Sequence, residues 1–230
     1  MKTIGIIGAL SEEVKSLIAA LSDSKEVCVG SLTFHEGTLF DKRVVVAGCG
    51  VGKVFAAMCA EAMIITFKPD LIVNTGVGGA LGGGLQVLDT VVAERLVQHD
   101  MDTSALGDPK GMISGINKVY FETDERAKEL LAEAGRELCI RVKLGTVASG
   151  DRFVSDSADK AAIKAGFGAQ LCEMEGAAIA QVAFVNATPC VVIRAVSDSA
   201  DGSSAMDYMQ FMPLAARNSS RLTMKLIEKY

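Results

Sequence analysis

The sequence contains no tryptophan, only two histidines, and no cysteines at metal-binding spacing. Its six cysteines are scattered through 230 residues without a Cys-x-x-Cys motif. Because zinc sites need clustered Cys and His ligands, this pattern argues against a zinc site, and we expect neither a metal ion nor a cofactor. The cysteines in apolar stretches are expected to be buried thiols in a reducing cytoplasm.

Clusters of positive charge and long apolar runs are also missing. The formal net charge is -5, and only 5% of the residues are aromatic. This composition argues against nucleic-acid binding and against base stacking on an open sheet. No segment reaches membrane-spanning length, and the glycine-interrupted N-terminus does not resemble a signal peptide. The sequence therefore predicts a cytoplasmic protein with neither nucleic acid nor membrane as a partner.

Half of the residues are apolar and 23 are glycine, which predicts a folded chain with a large core. The length suits one α/β domain over residues 1–230. Strand-like and helix-like segments alternate, which favours a mixed or mainly parallel sheet with helices on both faces. The predicted strands are 2–8, two within 26–40, 43–48, 71–75, 88–97, 142–149 and 189–196.

Helical spacing of apolar residues predicts five helices between these strands. Ser11 is expected to cap the first helix, and Asp124 the third. The second helix has an apolar face of Val54, Phe55, Met58, Ala62 and Ile65. The fourth helix is predicted over 175–186, and the last carries Phe211, Leu214, Ala215, Leu222 and Leu226 on its apolar side. Residues 98–121 are irregular, and so long a loop is usually functional or packed on a partner.

Three carboxylate positions follow apolar segments. Glu12-Glu13 come after the first strand, Glu175 stands where a helix begins, and Asp198 closes the apolar strand Cys190–Asp198. Each has an ordinary explanation as a first-turn or capping residue, and for Glu12-Glu13 alone that explanation is the stronger. Together they favour a shared crevice at the strand ends, suited to acid/base chemistry on a polar, uncharged substrate.

Two further motifs follow predicted strands. The glycine-rich run 76–84 can bring backbone amides close to a ligand, although a flexible surface turn is the alternative. Phe153 follows the strand that ends near Ser149, and it either packs in the core or stacks on a planar ligand. The N-terminal glycines lack G-x-G-x-x-G spacing, and run 76–84 lacks the Gly-Lys-Ser/Thr of a P-loop. A Rossmann dehydrogenase and a P-loop protein are therefore disfavoured.

In order along nearly the full chain, five stretches resemble the 5′-methylthioadenosine/S-adenosylhomocysteine nucleosidases of the nucleoside phosphorylase superfamily. They are residues 4–9 with Glu12-Glu13, 74–79, 149–153, 173–175 and 194–198. The resemblance implies that family's fold, a single domain with a mixed central sheet flanked by helices. It also implies hydrolysis of the N-glycosidic bond of methylthioadenosine and S-adenosylhomocysteine, with release of adenine and the thioribose, in methionine salvage and the methyl cycle.

The same resemblance implies roles for individual residues. Asp198 would protonate adenine N7 as general acid, Glu13 would position or deprotonate the attacking water, and Glu175 would hold the ribosyl hydroxyls. The chemistry agrees, because adenine leaves poorly unless protonated and carboxylates stabilise a cationic sugar transition state. The implied substrate-binding residues also include Met174 against the sugar, Phe153 and Val154 at adenine, Arg194 beside the ribose-side carboxylate, Leu10 and Tyr208 at the 5′ end, and Glu173, Val77, Gly78 and Ser197.

The resemblance further implies a homodimer, in which the loop around residues 99–106 lies at the interface and Leu106 reaches the neighbour's site. The sequence alone leaves open whether the irregular segment 98–121 is an interface or a lid. Gly176 departs from the Ala or Thr expected after Glu-Met-Glu, which puts the packing of the ribose site in question.

Water is the expected nucleophile, because residues 1–42 contain no arginine and run 76–84 contains no cation to bind phosphate. Val77 also stands where some relatives carry a hydroxyl. Two rivals stay open, a purine nucleoside phosphorylase and a non-catalytic nucleoside-binding module. The sequence does not rank the methylthio, homocysteinyl, deoxy and aminofutalosine 5′ substituents.

Overall fold

Ten strands and six α-helices alternate along residues 1–82, 84–198 and 204–230, which the computed structural model describes; the side chains of 204–207 lie outside it. The α/β class with a mixed sheet is confirmed. The strands are β1 Thr3–Gly8, β2 Ser22–Val29, β3 Leu32–Leu39, β4 Lys42–Gly48, β5 Leu71–Ala80, β6 Thr90–Gln98, β7 Phe121–Glu122, β8 Val142–Ser149, β9 Leu171–Glu173 and β10 Cys190–Asp198. The helices are α1 Ser11–Ala19, α2 Lys53–Phe67, α3 Glu125–Leu138, α4 Ser157–Phe167, α5 Gly176–Val185 and α6 Ser204–Lys229.

Five of the strands close into a ring, in the order β5, β10, β6, β8 and β9. The ring closes where Gly79 and Ala80 of β5 pair antiparallel with Cys172 and Leu171 of β9. Strand β1 pairs parallel with β5, and β4, β3 and β2 extend the sheet outward from it. As a result, the last residues of β5, β9 and β10 come together.

The central strands are covered on both faces. Every residue of β1, β5 and β10 is buried, as expected for strands with helices above and below. On one face, apolar residues of α1, α3 and α6 pack over the side of the sheet that presents Ile4, Ile6 and Val73. On the other face, α2 and α5 pack over Ile7, Ile72 and Val192.

The capping prediction for α1 was wrong. The residue at the N-cap is Leu10, which has no side-chain hydrogen bond to offer, and Ser11 is the first helical residue. Glu13 takes over the role, since its Oε2 accepts hydrogen bonds from the backbone N–H groups of Leu10 at 2.9 Å and Ala9 at 2.7 Å. Asp124 caps α3 as predicted, by accepting a hydrogen bond from the Ala127 N–H.

The apolar face predicted for α2 is the exposed one. Val54, Phe55, Met58 and Ile65 are 48–69% exposed, and the helix packs instead through Ala56, Cys59, Ala60, Met63 and Phe67. This helix is apolar around most of its circumference, so periodicity does not identify the face that meets the sheet.

Two elements near the pocket were not predicted, α4 and β9. The short β9 gives no periodic signal, whereas α4 is capped by Asp156, whose Oδ1 accepts hydrogen bonds from the Ala158 and Asp159 N–H groups. Strand β5 also runs on to Ala80, so the first part of the glycine-rich run is strand rather than loop. Gly83 of that run lies outside the described residues.

No helix in the described ranges has the length and apolar character that crossing a bilayer requires.

Candidate active site

A pocket of about 570 Å³, including its open mouth, lies where the ends of β5, β9 and β10 meet the start of α1. Most of the predicted site residues line it: Leu10, Glu13, Val77, Gly78, Phe153, Val154, Glu173, Met174, Glu175, Ser197, Asp198 and Tyr208. The wall also contains residues that were not predicted, namely Ala9, Val51, Gly79, Arg152 and Cys172. Such a mixture of apolar surface with a few convergent polar groups is typical of a small-molecule site.

The Glu13 side chain is held by three backbone N–H groups and is only 4% exposed. Its Oε2 accepts the hydrogen bonds from Ala9 and Leu10, and its Oε1 accepts a third from Val77 at 3.1 Å. Burial raises the pKa of Glu13, although Arg194 and the three N–H donors act in the opposite direction. The carboxylate therefore has a fixed position and a raised proton affinity.

Glu173 and Glu175 both stand beside Nη2 of Arg194, which is buried behind the pocket rather than in its wall. Glu173 Oε2 accepts a hydrogen bond from Arg194 Nε at 3.0 Å and another from the Gly176 N–H at 2.8 Å. Its other oxygen is hydrogen-bonded to Ser149 Oγ. Glu173 thus fixes both Arg194 and the start of α5, and it supports the residues around it.

The negative charge of Glu175 is less well compensated by neighbouring groups than that of Glu173. Its Oε1 accepts a hydrogen bond from the Gly52 N–H at 2.8 Å, while its Oε2 stands 3.8 Å from Arg194 Nη2. Burial and the neighbouring Glu173 raise the pKa of Glu175 to about 7. Its carboxylate has room for further hydrogen-bond donors from the pocket.

Asp198 is the last residue of β10 and is 2% exposed. Its Oδ1 is 2.9 Å from Ser197 Oγ, and its Oδ2 accepts a hydrogen bond from Lys160 Nζ at 3.3 Å. Lys160 comes from α4 and is equally buried. This lysine was not predicted from the sequence, because it lies in a helix that was not predicted and no motif marks it.

The glycines of β5 make room for both carboxylates. A Cβ atom on Gly76 would stand 2.6 Å from Glu13 Oε1, and one on Gly79 would stand 2.8 Å from Asp198 Oδ2. From the sequence, the glycine-rich run 76–84 was expected to be a loop whose backbone amides come close to a ligand. The structure instead shows a strand whose missing side chains let two carboxylates approach, and one of its amides, that of Val77, does bond to Glu13.

Aromatic and apolar side chains form the rest of the wall. The rings of Phe153 and Tyr208 meet edge to face, with centroids 5.5 Å apart, and Phe153 is 45% exposed. Phe153 is therefore not a core residue, and its stacking on a planar ligand stays a prediction. Val154 is buried beside it, and Met174 is partly exposed.

Leu106 does not line the pocket of its own chain. It ends a 3₁₀ turn, Ser104–Leu106, and is 85% exposed. The segment 98–121 is irregular over most of its length, as predicted. It is tied to the start of α2 by an ion pair between Lys53 Nζ and Asp100 Oδ1 at 2.6 Å.

The pocket has an excess of buried acidic groups. Four carboxyl groups, Glu13, Glu173, Glu175 and Asp198, accompany two buried cations, Arg194 and Lys160. An excess of carboxylates favours a reacting group that becomes positively charged. Among the described residues, no cluster of three or more His, Cys, Asp and Glu side chains is arranged to hold a metal ion.

Comparison with known proteins shows the same family along the whole chain. The model of the family described as "Phosphorylase superfamily" matches residues 3–228. The aminodeoxyfutalosine nucleosidase of Campylobacter jejuni is 35% identical, with 100% of each chain covered. The 5′-methylthioadenosine/S-adenosylhomocysteine nucleosidase of Haemophilus influenzae is 38% identical over 98% of this chain and 99% of the relative. The crystal structure of the same-named Neisseria meningitidis enzyme with methylthio-immucillin-A is 37% identical, covers 100% of both chains and superposes with a TM-score of 0.96.

Proposed function

Because the chain belongs to the phosphorylase superfamily and is a nucleosidase, we propose that it hydrolyses the N-glycosidic bond of 5′-methylthioadenosine and S-adenosylhomocysteine. The observation that supports the mechanism is the placement of two buried carboxyl groups along one strand. Glu13 stands beside Gly76 and Asp198 beside Gly79. Three residues of strand span roughly 10 Å, which leaves space for a sugar carbon, its leaving base and an attacking water.

In this proposal, Asp198 is the general acid. It gives its proton to adenine N7 while the bond between C1′ and N9 breaks, and the bonding electrons leave with the base. Protonation matters because adenine is a poor leaving group as an anion. The aromatic rings of Phe153 and Tyr208 provide the apolar surface for the base and the 5′ end, and the Val154 backbone meets the edge of the base.

Glu13 acts on the water. It orients a water molecule against C1′ and takes its proton as the new C–O bond forms, and its raised pKa suits a proton acceptor. Glu175 accepts hydrogen bonds from the ribosyl hydroxyls, with Met174 packed against the sugar. Arg194 and Glu173 hold Glu175 in place from behind, and Leu10 lies near the 5′ substituent.

Water rather than phosphate is the proposed nucleophile. Among the described residues of the pocket wall, the one cationic side chain is Arg152, which is 59% exposed and paired with Asp159. Arg194 is buried and hydrogen-bonded to Glu173, Asn74 and the Ile193 carbonyl. A phosphate dianion would thus find carboxylates rather than cations around it, which opposes phosphorolysis.

A second candidate substrate differs from the first two in its 5′ substituent. The full-length similarity to the Campylobacter jejuni enzyme favours aminodeoxyfutalosine as a further substrate, since the same adenine-side chemistry serves both. We propose methylthioadenosine and S-adenosylhomocysteine first, because Leu10, Val51 and Tyr208 offer a largely apolar 5′ end. This activity would serve methionine salvage and the methyl cycle in the cytoplasm.

A homodimer is part of the proposal. The exposed face of α2 presents Val54, Phe55, Met58 and Ile65, and the end of α5 adds Phe184 and Val185. A patch of this kind marks an interaction surface, and a two-fold pairing would bury it on both subunits. Leu106 would then reach the neighbour's 5′ pocket.

The experiment that tests the substrate is adenine release from a panel of nucleosides. Purified protein is assayed with methylthioadenosine, S-adenosylhomocysteine, 5′-deoxyadenosine and aminodeoxyfutalosine. We expect the highest kcat/KM with the two thioether nucleosides. Turnover of aminodeoxyfutalosine alone would favour the second candidate, and no adenine from any of the four would refute the proposed activity.

A further inference from the structure

The buried lysine of α4 has no part in the function proposed so far. Lys160 is 2% exposed, and its Nζ donates a hydrogen bond to Asp198 Oδ2 at 3.3 Å. Removing an ammonium group from water is costly unless a partner compensates. Helix α4 is fixed around it by the Asp156 cap and by burial of Ile163 and Phe167. The fold therefore places a buried positive charge against the Asp198 carboxyl group.

The surroundings of that carboxyl group identify Lys160 as its cation. Ser197 Oγ approaches the other oxygen, Oδ1, and Gly79 presents no side chain. Among the residues whose side chains the structure describes, Cys172 and the Tyr208 hydroxyl also interact with Asp198, and both are neutral in their ordinary state. Arg194 is bound to the Glu173 side of the site instead.

We propose that Lys160 is a positioning residue for the acid step: it holds the Asp198 carboxyl group at the base and stabilises the negative charge that appears on it as the proton leaves. This inference rests on the proposed function. The step balances within the site. The proton moves from Asp198 to N7, the C1′–N9 electron pair goes to adenine, and the water that attacks C1′ gives its proton to Glu13.

The lysine acts on the transition state more than on the ground state. While the Asp198 carboxyl group carries the proton to be transferred, the ammonium group donates a hydrogen bond to an uncharged acceptor. After transfer, Asp198 is a carboxylate, and the same contact becomes an ion pair in which both donor and acceptor are charged, at a position buried from water. An interaction that strengthens along the reaction lowers the barrier.

The test compares two leaving groups in the same enzyme. Methylthioadenosine needs protonation of its base, whereas the 4-nitrophenyl glycoside of 5-methylthioribose releases nitrophenolate without it. We expect Lys160→Met to lower kcat for methylthioadenosine about a hundredfold, the scale of losing one electrostatic stabiliser, while the nitrophenyl glycoside reacts at nearly the parent rate. Lys160→Arg, which keeps the charge, should recover most of the adenine activity.

Two further proteins complete the experiment. Lys128→Met removes a similarly buried lysine that pairs with Glu125 on α3, far from Asp198 in the fold, and should leave both rates unchanged. The double variant Lys160→Met/Asp198→Asn removes the ammonium group and the acid together. Its rate should match Asp198→Asn alone, because Lys160 acts only through Asp198. This comparison still applies if Lys160→Met by itself does not fold.

The outcomes separate this inference from the function on which it depends. A parent enzyme that releases no adenine from methylthioadenosine would refute the proposed function. An active parent whose Lys160→Met variant keeps full adenine activity, or loses both leaving groups equally, would refute the role of Lys160. A further loss in the double variant beyond that of Asp198→Asn would also refute it.

Discussion

At the scale of single residues, this site consists of carboxyl groups whose surroundings differ although all are buried. Glu13 is bound by three backbone N–H groups, Glu173 by an arginine, and Asp198 by a lysine and a serine. Glu175 has one N–H donor and a repelling neighbour. Such differences are how one site holds an acid, a base and a hydrogen-bond acceptor at the same pH.

The acid can be tested by removing its proton. Asp198→Asn keeps the size of the side chain and one of its two acceptor oxygens, so a substrate analogue should still bind. Turnover of methylthioadenosine should fall by about two to four orders of magnitude, because the variant has no proton to transfer. Steady-state kinetics and calorimetric binding measure the two effects. A near-parent kcat would contradict the assignment of Asp198.

Glu175 should make the unliganded protein less stable as the pH rises. Its pKa is raised in the folded state, so its folded form holds a proton that the unfolded chain has already lost above about pH 4.5. The free energy of unfolding should therefore fall, by on the order of 3 kcal/mol from this group, between pH 4.5 and pH 7. Above about pH 7 Glu175 is ionised in both the folded and the unfolded state, and its effect on the free energy of unfolding no longer changes with pH.

Denaturant unfolding of the parent and of Glu175→Gln across this range isolates the effect, since other titrating groups are common to both. The stability of the variant relative to the parent should increase with pH. Glu129→Gln, at an exposed position of α3, serves as a control and should show no such trend. Parallel pH curves for the parent and Glu175→Gln would show that Glu175 titrates normally.

At the scale of elements, β5 is the strand on which the site is built. Gly76→Ala would force its Cβ to 2.6 Å from Glu13 Oε1 and 3.1 Å from Arg194 Nη1. We expect a stability loss of about 1–3 kcal/mol and a strong fall in kcat, since Glu13 must move. The matched control is Gly166→Ala in α4, where a Cβ meets nothing within 4 Å, and it should fold at least as well as the parent. Equal effects at both positions would contradict this account.

The sequence was sufficient to predict the elements that have strong apolar periodicity or clear boundary residues, such as β1, β4, β8, α3 and β10. It was insufficient where the signal depends on tertiary contacts. The exposed face of α2 was mistaken for its packing face because nearly all of that helix is apolar, and β9 is too short to show a pattern. The extension of β5 was missed because glycine has low strand propensity, and here its lack of a side chain is the reason for its use.

The pocket residues were predicted mainly through their motifs, which stand at the ends of strands. Lys160 and Cys172 belong to no such motif, and only the folded chain brings α4 and β9 to Asp198. The exposure of Leu106 likewise could not be read from the loop sequence, and its contact with a second subunit stays a prediction.

At the scale of the whole molecule, the exposed apolar face of α2 and the loop around Leu106 predict a dimer that completes the pocket. Leu106→Asp should weaken the dimer and raise KM for thioether nucleosides together, because one residue serves both roles. Analytical ultracentrifugation alongside kinetics measures both. Leu144→Asp, which changes an exposed apolar residue of β8, is the control and should affect neither. A parent chain that is an active monomer at low micromolar concentration would contradict the shared site.

If water releases adenine from a thioether nucleoside at this site, the reaction does not depend on phosphate. Adenine release from methylthioadenosine is followed in phosphate-free buffer and again with added inorganic phosphate, and the sugar product is identified by mass spectrometry. We expect the same rate in both conditions and free methylthioribose as the product. A rate that requires phosphate, with methylthioribose 1-phosphate as the product, would contradict it.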